Sequence, residues 1–174
     1  MGRRQSVVHR DPYRTLLIVG EGDAEIAFLS HLKTLYVPRG SGVRVTLRNA
    51  HGKGPGHVID FAVRQARQFD FDSIAVLLDT DLPWPAAAIR AANALRLVLI
   101  ASAPCLDGLL LQLLGRRVPP QSAECKQIIC QLLPGRSTDP DSYGGLFPQT
   151  LLDARCATIE PIARLRALMR GQGC

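Results

Sequence analysis

The sequence predicts an α/β domain, a mainly parallel sheet flanked by helices, with an irregular helical C-terminal part. Two observations carry this. The short apolar runs "TLLIVG" (residues 15–20) and "SIAVLLD" (residues 73–79) lack the alternation of half-exposed strands, as strands buried on both faces do. Between such runs stand segments with apolar residues at helical spacing, and strands alternating with helices argue for parallel pairing through crossovers. With 174 residues, 47% hydrophobic and 21% charged, the chain is long enough for one domain around one sizeable core. Aromatics make up only 5%, so that core must be built from Leu, Ile, Val and Ala.

The elements follow in order. Residues 1–13, "MGRRQSVVHRDPY", read as a basic arm without the apolar stretch of a secretory signal. Residues 14–174 read as a single domain. After the strand at 15–20, Ile26, Ala27, Leu29, Leu32 and Leu35 define a helix over Asp23–Tyr36. "GVRVTLRN" (42–49) alternates Val43, Val45 and Leu47 with Arg44, Thr46 and Arg48, a half-exposed strand nearer a sheet edge. The glycine-rich loop "HGKGPG" (51–56) leads into a helix over 57–69 carrying Val58, Ile59, Ala62, Val63 and Ala66 on one face. The strand 73–79 is followed by the Ala-rich helix "WPAAAIRAANAL", then by a strand at 95–102. "PCLDGLLLQLLG" has a proline suited to a first helical turn and ends at glycine. "ECKQIICQLL" reads as a short helix, "PGRSTDPDSYGG" as a loop of turn residues, and "TIEPIARLRALM" as a helix starting near Thr158.

The net charge of +6 and pI near 9.4 suit contact with a polyanion, although arginine-rich usage also follows from a high-GC genome. The cysteines Cys105, Cys125, Cys130, Cys156 and Cys174 are odd in number and form no CxxC pair, which excludes common zinc spacings. They read as reduced, mostly buried thiols of a cytoplasmic protein. No run of about 18 apolar residues is present, so no membrane span is expected.

The chemistry lies at the strand ends. Parallel strands present their carboxyl ends on one side of the sheet, where ligands of such folds bind. Glu21 follows the first strand, Asp79 and Asp81 close and follow the third, and Asp107 follows the fourth. In an extended segment residues i and i+2 point the same way, so Asp79 and Asp81 can lean toward one cation. Hard cations such as Mg²⁺, or Mn²⁺, take oxygen ligands and relieve the repulsion among clustered carboxylates. Each acid also has a plain reading: a DxD forms turns and caps, and Glu21, Asp23 and Asp107 suit helix starts. Glu25 reads either as a solvent-facing helix residue or as a ligand of a second metal. The loop "HGKGPG" lacks the Gly-Lys-Ser/Thr ending of a P-loop. It is either a plain flexible loop or a phosphate contact through Lys53, with His51 and His57 beside it.

The stretch "LLIVGEGDAEIAFLSHL" (16–32), followed by "AVLLDTD" (75–81), resembles the Toprim pattern, a glutamate after the first strand and a DxD after the third. "EGDAEIAFL" is similar to the OLD-nuclease type of Toprim domain. "SAPCLDGLLLQLL" resembles the Ser-Asn-Pro-Cys-Phe-Glu segment of the RloB family, a Toprim-like group associated with phage defence, and "TLLDARCATIEPIARLRALM" is similar to that family's tail. The resemblance spans roughly residues 14–170. It implies a Toprim-like, Rossmann-like fold and metal-binding roles for Glu21, Asp79 and Asp81, with Glu25 matching the second acid of the OLD-type first motif. Asp107 stands where the family has glutamate. Ala103, Leu106 and Gly108 depart from the family's asparagine, phenylalanine and tryptophan. The implied activity is Mg²⁺-dependent cleavage of DNA or RNA, with Glu21, Asp79 and Asp81 catalytic through the metal. Lys126 and Arg155, besides Lys53, are candidates for the basic residue facing the transition state. A separate ATPase or defence-system partner and homo-oligomers are compatible with so small a domain. The rivals are another Toprim activity, a non-catalytic nucleotide or nucleic-acid sensor, and a plain α/β domain whose acids only start helices. A topoisomerase would need a nucleophile from Tyr13, Tyr36 or Tyr143.

Overall fold

The computed structural model describes residues 13–172, so the basic arm expected at 1–13, apart from Tyr13, and Cys174 lie outside the described residues. The first strand, β1 (Arg14–Gly20), pairs in parallel with β2 (Val43–Asn49) on one side and β3 (Ser73–Asp79) on the other. β4 (Val98–Ser102) joins β3, also in parallel, giving the order β2-β1-β3-β4. The expected edge position of β2 holds. Its Val43 and Val45 are buried while Arg44 and Arg48 face solvent.

The continuous apolar runs of β1 and β3 serve two cores at once. Leu16, Ile18, Ala75 and Leu77 point to one face, and Leu17, Val19, Val76 and Leu78 to the other. On the first face pack α1 (Asp23–Tyr36), α4 (Leu106–Leu113), α5 (Ser122–Leu132), α6 (Gln149–Arg155) and α7 (Glu160–Met169). On the second pack α2 (Pro55–Gln68) and α3 (Ala86–Ala94). Burial of each such aliphatic side chain is worth about 1.5–3 kcal/mol, which makes the two-faced strands the main anchor of the fold. The few aromatics concentrate at one point. Phe28 of α1 lies 5.4 Å from the Tyr143 ring and 6.0 Å from that of Phe147, and so fastens the loop before α6 to the sheet's first layer.

Several boundaries differ from the expected ones for local reasons. β4 starts at Val98, because Leu95–Leu97 form the turn leaving α3 and Arg96 takes φ 55°. α3 starts at Ala86, since Trp84 precedes a proline and is thereby kept from helical geometry. α4 starts at Leu106. Pro104 is not in its first turn but precedes the extended cap residue Cys105. α2 starts earlier than expected, with Pro55 in its first turn. The helix α6 falls in a stretch to which the sequence assigned no element. Of the cysteines, Cys105 and Cys125 are buried, but Cys130 is exposed and Cys156 half-buried. No helix among the described residues is long and apolar enough to cross a membrane.

Candidate metal centre at the sheet switch point

The chain leaves β1 toward β2 and later places β3 on β1's other side, so strand order reverses between β1 and β3. That crevice is where ligands of open parallel sheets bind. Glu21 leaves β1 there and Asp79 ends β3 beside it.

Asp79 is held from three directions. Its Oδ1 accepts from Ser102 Oγ at 2.9 Å and from the Leu106 backbone N–H at 2.9 Å, and its carbonyl accepts from Trp84 Nε1 at 2.7 Å. The next two residues are fixed by their backbones. Thr80 and Asp81 N–H groups both donate to the Pro104 carbonyl at 2.9 Å. Asp81 Oδ2 accepts from Ser122 Oγ of α5 at 2.8 Å. Glu25 Oε2 accepts from the Gly22 N–H at 2.9 Å, the one half of a capping box that a glycine cap permits. These bonds fall on one oxygen of each carboxylate. The second oxygen of each carries none of them.

The electrostatics report the crowding. Burial, opposed by the Ser102 hydrogen bond and reinforced by Glu25, Glu21 and Asp81, pushes Asp79 up to about 7. Burial also raises Glu21, with Glu25 and Asp81 adding repulsion and the Gly54 N–H opposing. Asp107, in the first turn of α4, is raised by burial and by Glu25, while Lys126 pulls it down. Carboxylates from the turn after β1, from α1, β3, the loop beyond it and α4 thus sense one another across one site.

A cleft of about 460 Å³ opens beside them, lined among others by Gly22, Glu25, Asp79, Asp107 and Lys126. Its far wall is Ser137 and Thr138. That loop is tied down by Tyr143, whose hydroxyl donates to the Ser137 carbonyl at 2.6 Å.

No family model matches this chain, and neither does any curated protein or solved structure.

The other expected site residues divide. Lys126 is exposed on α5 and reaches the cleft. Arg155 does not belong to the site: its Nε donates to the Leu113 carbonyl at 2.9 Å, so it caps the C-terminal end of α4 while Asp79 holds the N-terminal end. At about 1.5 Å per residue, the eight residues of α4 separate them by about 12 Å. Lys53 is exposed on a loop that stands on Glu21, whose carbonyl accepts from Gly52 N at 2.8 Å. His51 is exposed on the same loop, with its N–H bonded to Asn49 Oδ1 at 2.7 Å. His57 is a loop anchor: its Nε2 lies 3.1 Å from the Ala50 carbonyl. Asp23 is a first-turn acid, bonded by Asn49 Nδ2 at 2.7 Å. Sequence reasoning missed Ser122 as a partner of Asp81. Nothing in a strand-end pattern points to a hydroxyl from another helix.

Hard carboxylate oxygens around a partly buried, repelled Asp79 form a donor set that fits Mg²⁺ or Mn²⁺. Among the described residues, no three carboxylate, imidazole or thiol groups are close enough to share one ion as the side chains stand. A full coordination shell therefore requires side-chain rotation.

Proposed function

We propose that the chain is a Mg²⁺-dependent nuclease of the Toprim type that cleaves phosphodiester bonds of DNA or RNA. The observation that carries the reading is the gathering of Glu21, Asp79 and Asp81 at the switch point, with burial and its neighbours holding Asp79 at about 7. A site that raises the cost of its own negative charge is complementary to a cation. Asp79, Asp81 and Glu21 would hold the ion, with Glu25 or Asp107 completing the set. When bound, Mg²⁺ supplies charge neutralisation at the phosphate and activation of water. Ser102 and the Leu106 N–H keep Asp79 aimed, and Ser122 does the same for Asp81. Lys126 faces the cleft and offsets charge that builds on the phosphate. Lys53 and His51 on the neighbouring loop contact the phosphate backbone, and the net charge of +6 supports a polyanionic partner. The RloB resemblance alone carries a role in defence and a separate ATPase partner.

A second reading, a non-catalytic sensor of nucleotides or nucleic acid, is favoured by the absence of a preformed shell among the described residues. Two measurements separate the readings. Calorimetric titration of Mg²⁺ and Mn²⁺ into wild type and Asp79→Ala should show heat only in wild type; equal heats remove the metal site. Incubation with plasmid, single-stranded DNA and RNA should show metal-dependent cleavage; intact substrates with a working metal site select the sensor.

A further inference from the structure

On the other side of the Asp79–Asp81 loop lies a second depression, of about 420 Å³, lined by Thr80, Leu82, Pro83, Trp84, Ile89 and Ala101. Its size is that of a small-ligand cleft, about 300–1,000 Å³, and its lining residues are apolar except for Thr80. Leu82 is 54% exposed, a large apolar side chain left to water beside the acids. Trp84 packs against the α2/α3 core and also lines the groove. Its indole N–H is bonded to the Asp79 carbonyl at 2.7 Å, which fixes the ring relative to the carboxylate. The groove and the acids thus share one stretch of chain, in which Asp79 and Asp81 are followed directly by Leu82, Pro83 and Trp84.

An indole fixed by its N–H bond and the apolar side chains of Leu82, Pro83 and Ile89 line a groove suited to a flat, largely apolar heterocycle. Nucleobases stack on such platforms whatever their sequence. We infer that this groove takes an unstacked nucleobase of the strand whose phosphate lies at the carboxylates, so that the substrate is single-stranded or locally opened nucleic acid. The inference rests on the phosphodiester reading of the carboxylate site. In a duplex the bases are stacked inward, and none is free to enter a groove beside the phosphate it follows.

Trp84 is the only tryptophan of the chain, so its fluorescence reports the groove alone. The probes are thymidine, 2-deoxyribose, an oligothymidylate and a blunt DNA duplex, the last two with Mg²⁺, excited where nucleosides do not absorb. Thymidine should quench saturably and 2-deoxyribose should not. Oligothymidylate should quench at concentrations about tenfold lower than thymidine, because the phosphate site adds to the stack. The duplex should not quench. Leu82→Asp, at an exposed position that leaves the circular dichroism spectrum unchanged, should weaken thymidine about tenfold, because a carboxylate replaces the apolar side chain against which the base buries its edge. Absence of saturable thymidine quenching, equal affinity in Leu82→Asp, or quenching by the duplex as strong as by oligothymidylate would overturn the inference. Thymidine carries no phosphate and needs no metal. Its binding therefore survives a failure of the metal site, whereas lost quenching beside intact Mg²⁺ binding removes the groove alone.

Discussion

Asp79→Asn isolates the charge at the centre of the site. The asparagine keeps an Oδ1 that can accept from Ser102 Oγ and the Leu106 N–H, so the hydrogen bonds remain and only the negative charge goes. In wild type the folded state holds Asp79 at about 7, against an ordinary 3.8. The folded state thus binds the proton more tightly than the unfolded state. Ionising Asp79 costs folding free energy, and stability falls as pH rises from about 4 to 7, with the full penalty present above that window. At 1.36 kcal/mol per pH unit, the rise from 3.8 to about 7 amounts to about 4 kcal/mol. Asp79 is only partly buried and Asp81 reaches solvent, so screening reduces this to about 2 kcal/mol. In metal-free buffer at a pH well above 7, urea unfolding should find Asp79→Asn more stable than wild type by about 2 kcal/mol. The gap should shrink steadily as pH falls toward 4. Saturating Mg²⁺ should stabilise wild type and leave the variant almost unchanged. A variant no more stable than wild type at high pH, or a gap independent of pH, would show that burial and the neighbouring acids do not penalise the Asp79 charge.

Three other outcomes follow from the contacts. Gly108→Ala should destabilise by about 1–3 kcal/mol in thermal or urea unfolding, because its Cβ would stand 2.5 Å from Pro104 Cδ and 2.6 Å from the Ala103 carbonyl oxygen. Lys126→Ala should leave Mg²⁺ affinity equal or tighter while cleavage falls about a hundredfold, and unchanged cleavage would remove Lys126 from the reaction. Arg155→Ala should instead lose the bond to the Leu113 carbonyl and about 1 kcal/mol of stability in urea unfolding, with Mg²⁺ binding intact by calorimetry.

What the sequence made legible was whatever a strand end determines by itself. The apolar runs of β1 and β3 suited strands buried on both faces, and in a parallel sheet their terminal acids emerge on one side. Glu21 and Asp79 were legible for that reason. Arg155 was not, because a basic residue's place depends on which helix end it meets, and that is set by how α6 packs on α4. The helix α6 itself is seven residues long, too short for a hydrophobic period to stand out. Pro104 looked like a helix starter. Its carbonyl instead receives the Thr80 and Asp81 N–H groups, a role that belongs to another loop and leaves no local mark.

Two glycines set where the helix acids sit. A Cβ at Gly20 would meet Glu25 Cβ at 2.8 Å, so only a glycine at the end of β1 lets α1 bring Glu25 over the strand. Gly108 plays the corresponding part for α4, letting its first turn rest on Pro104 and the Ala103 carbonyl, with Asp107 beside it. No side chain of any size fits at Gly108 in this arrangement, so the glycine and the loop geometry belong together. With α4 seated this close, Asp107 lies within electrostatic reach of Glu25 and Lys126.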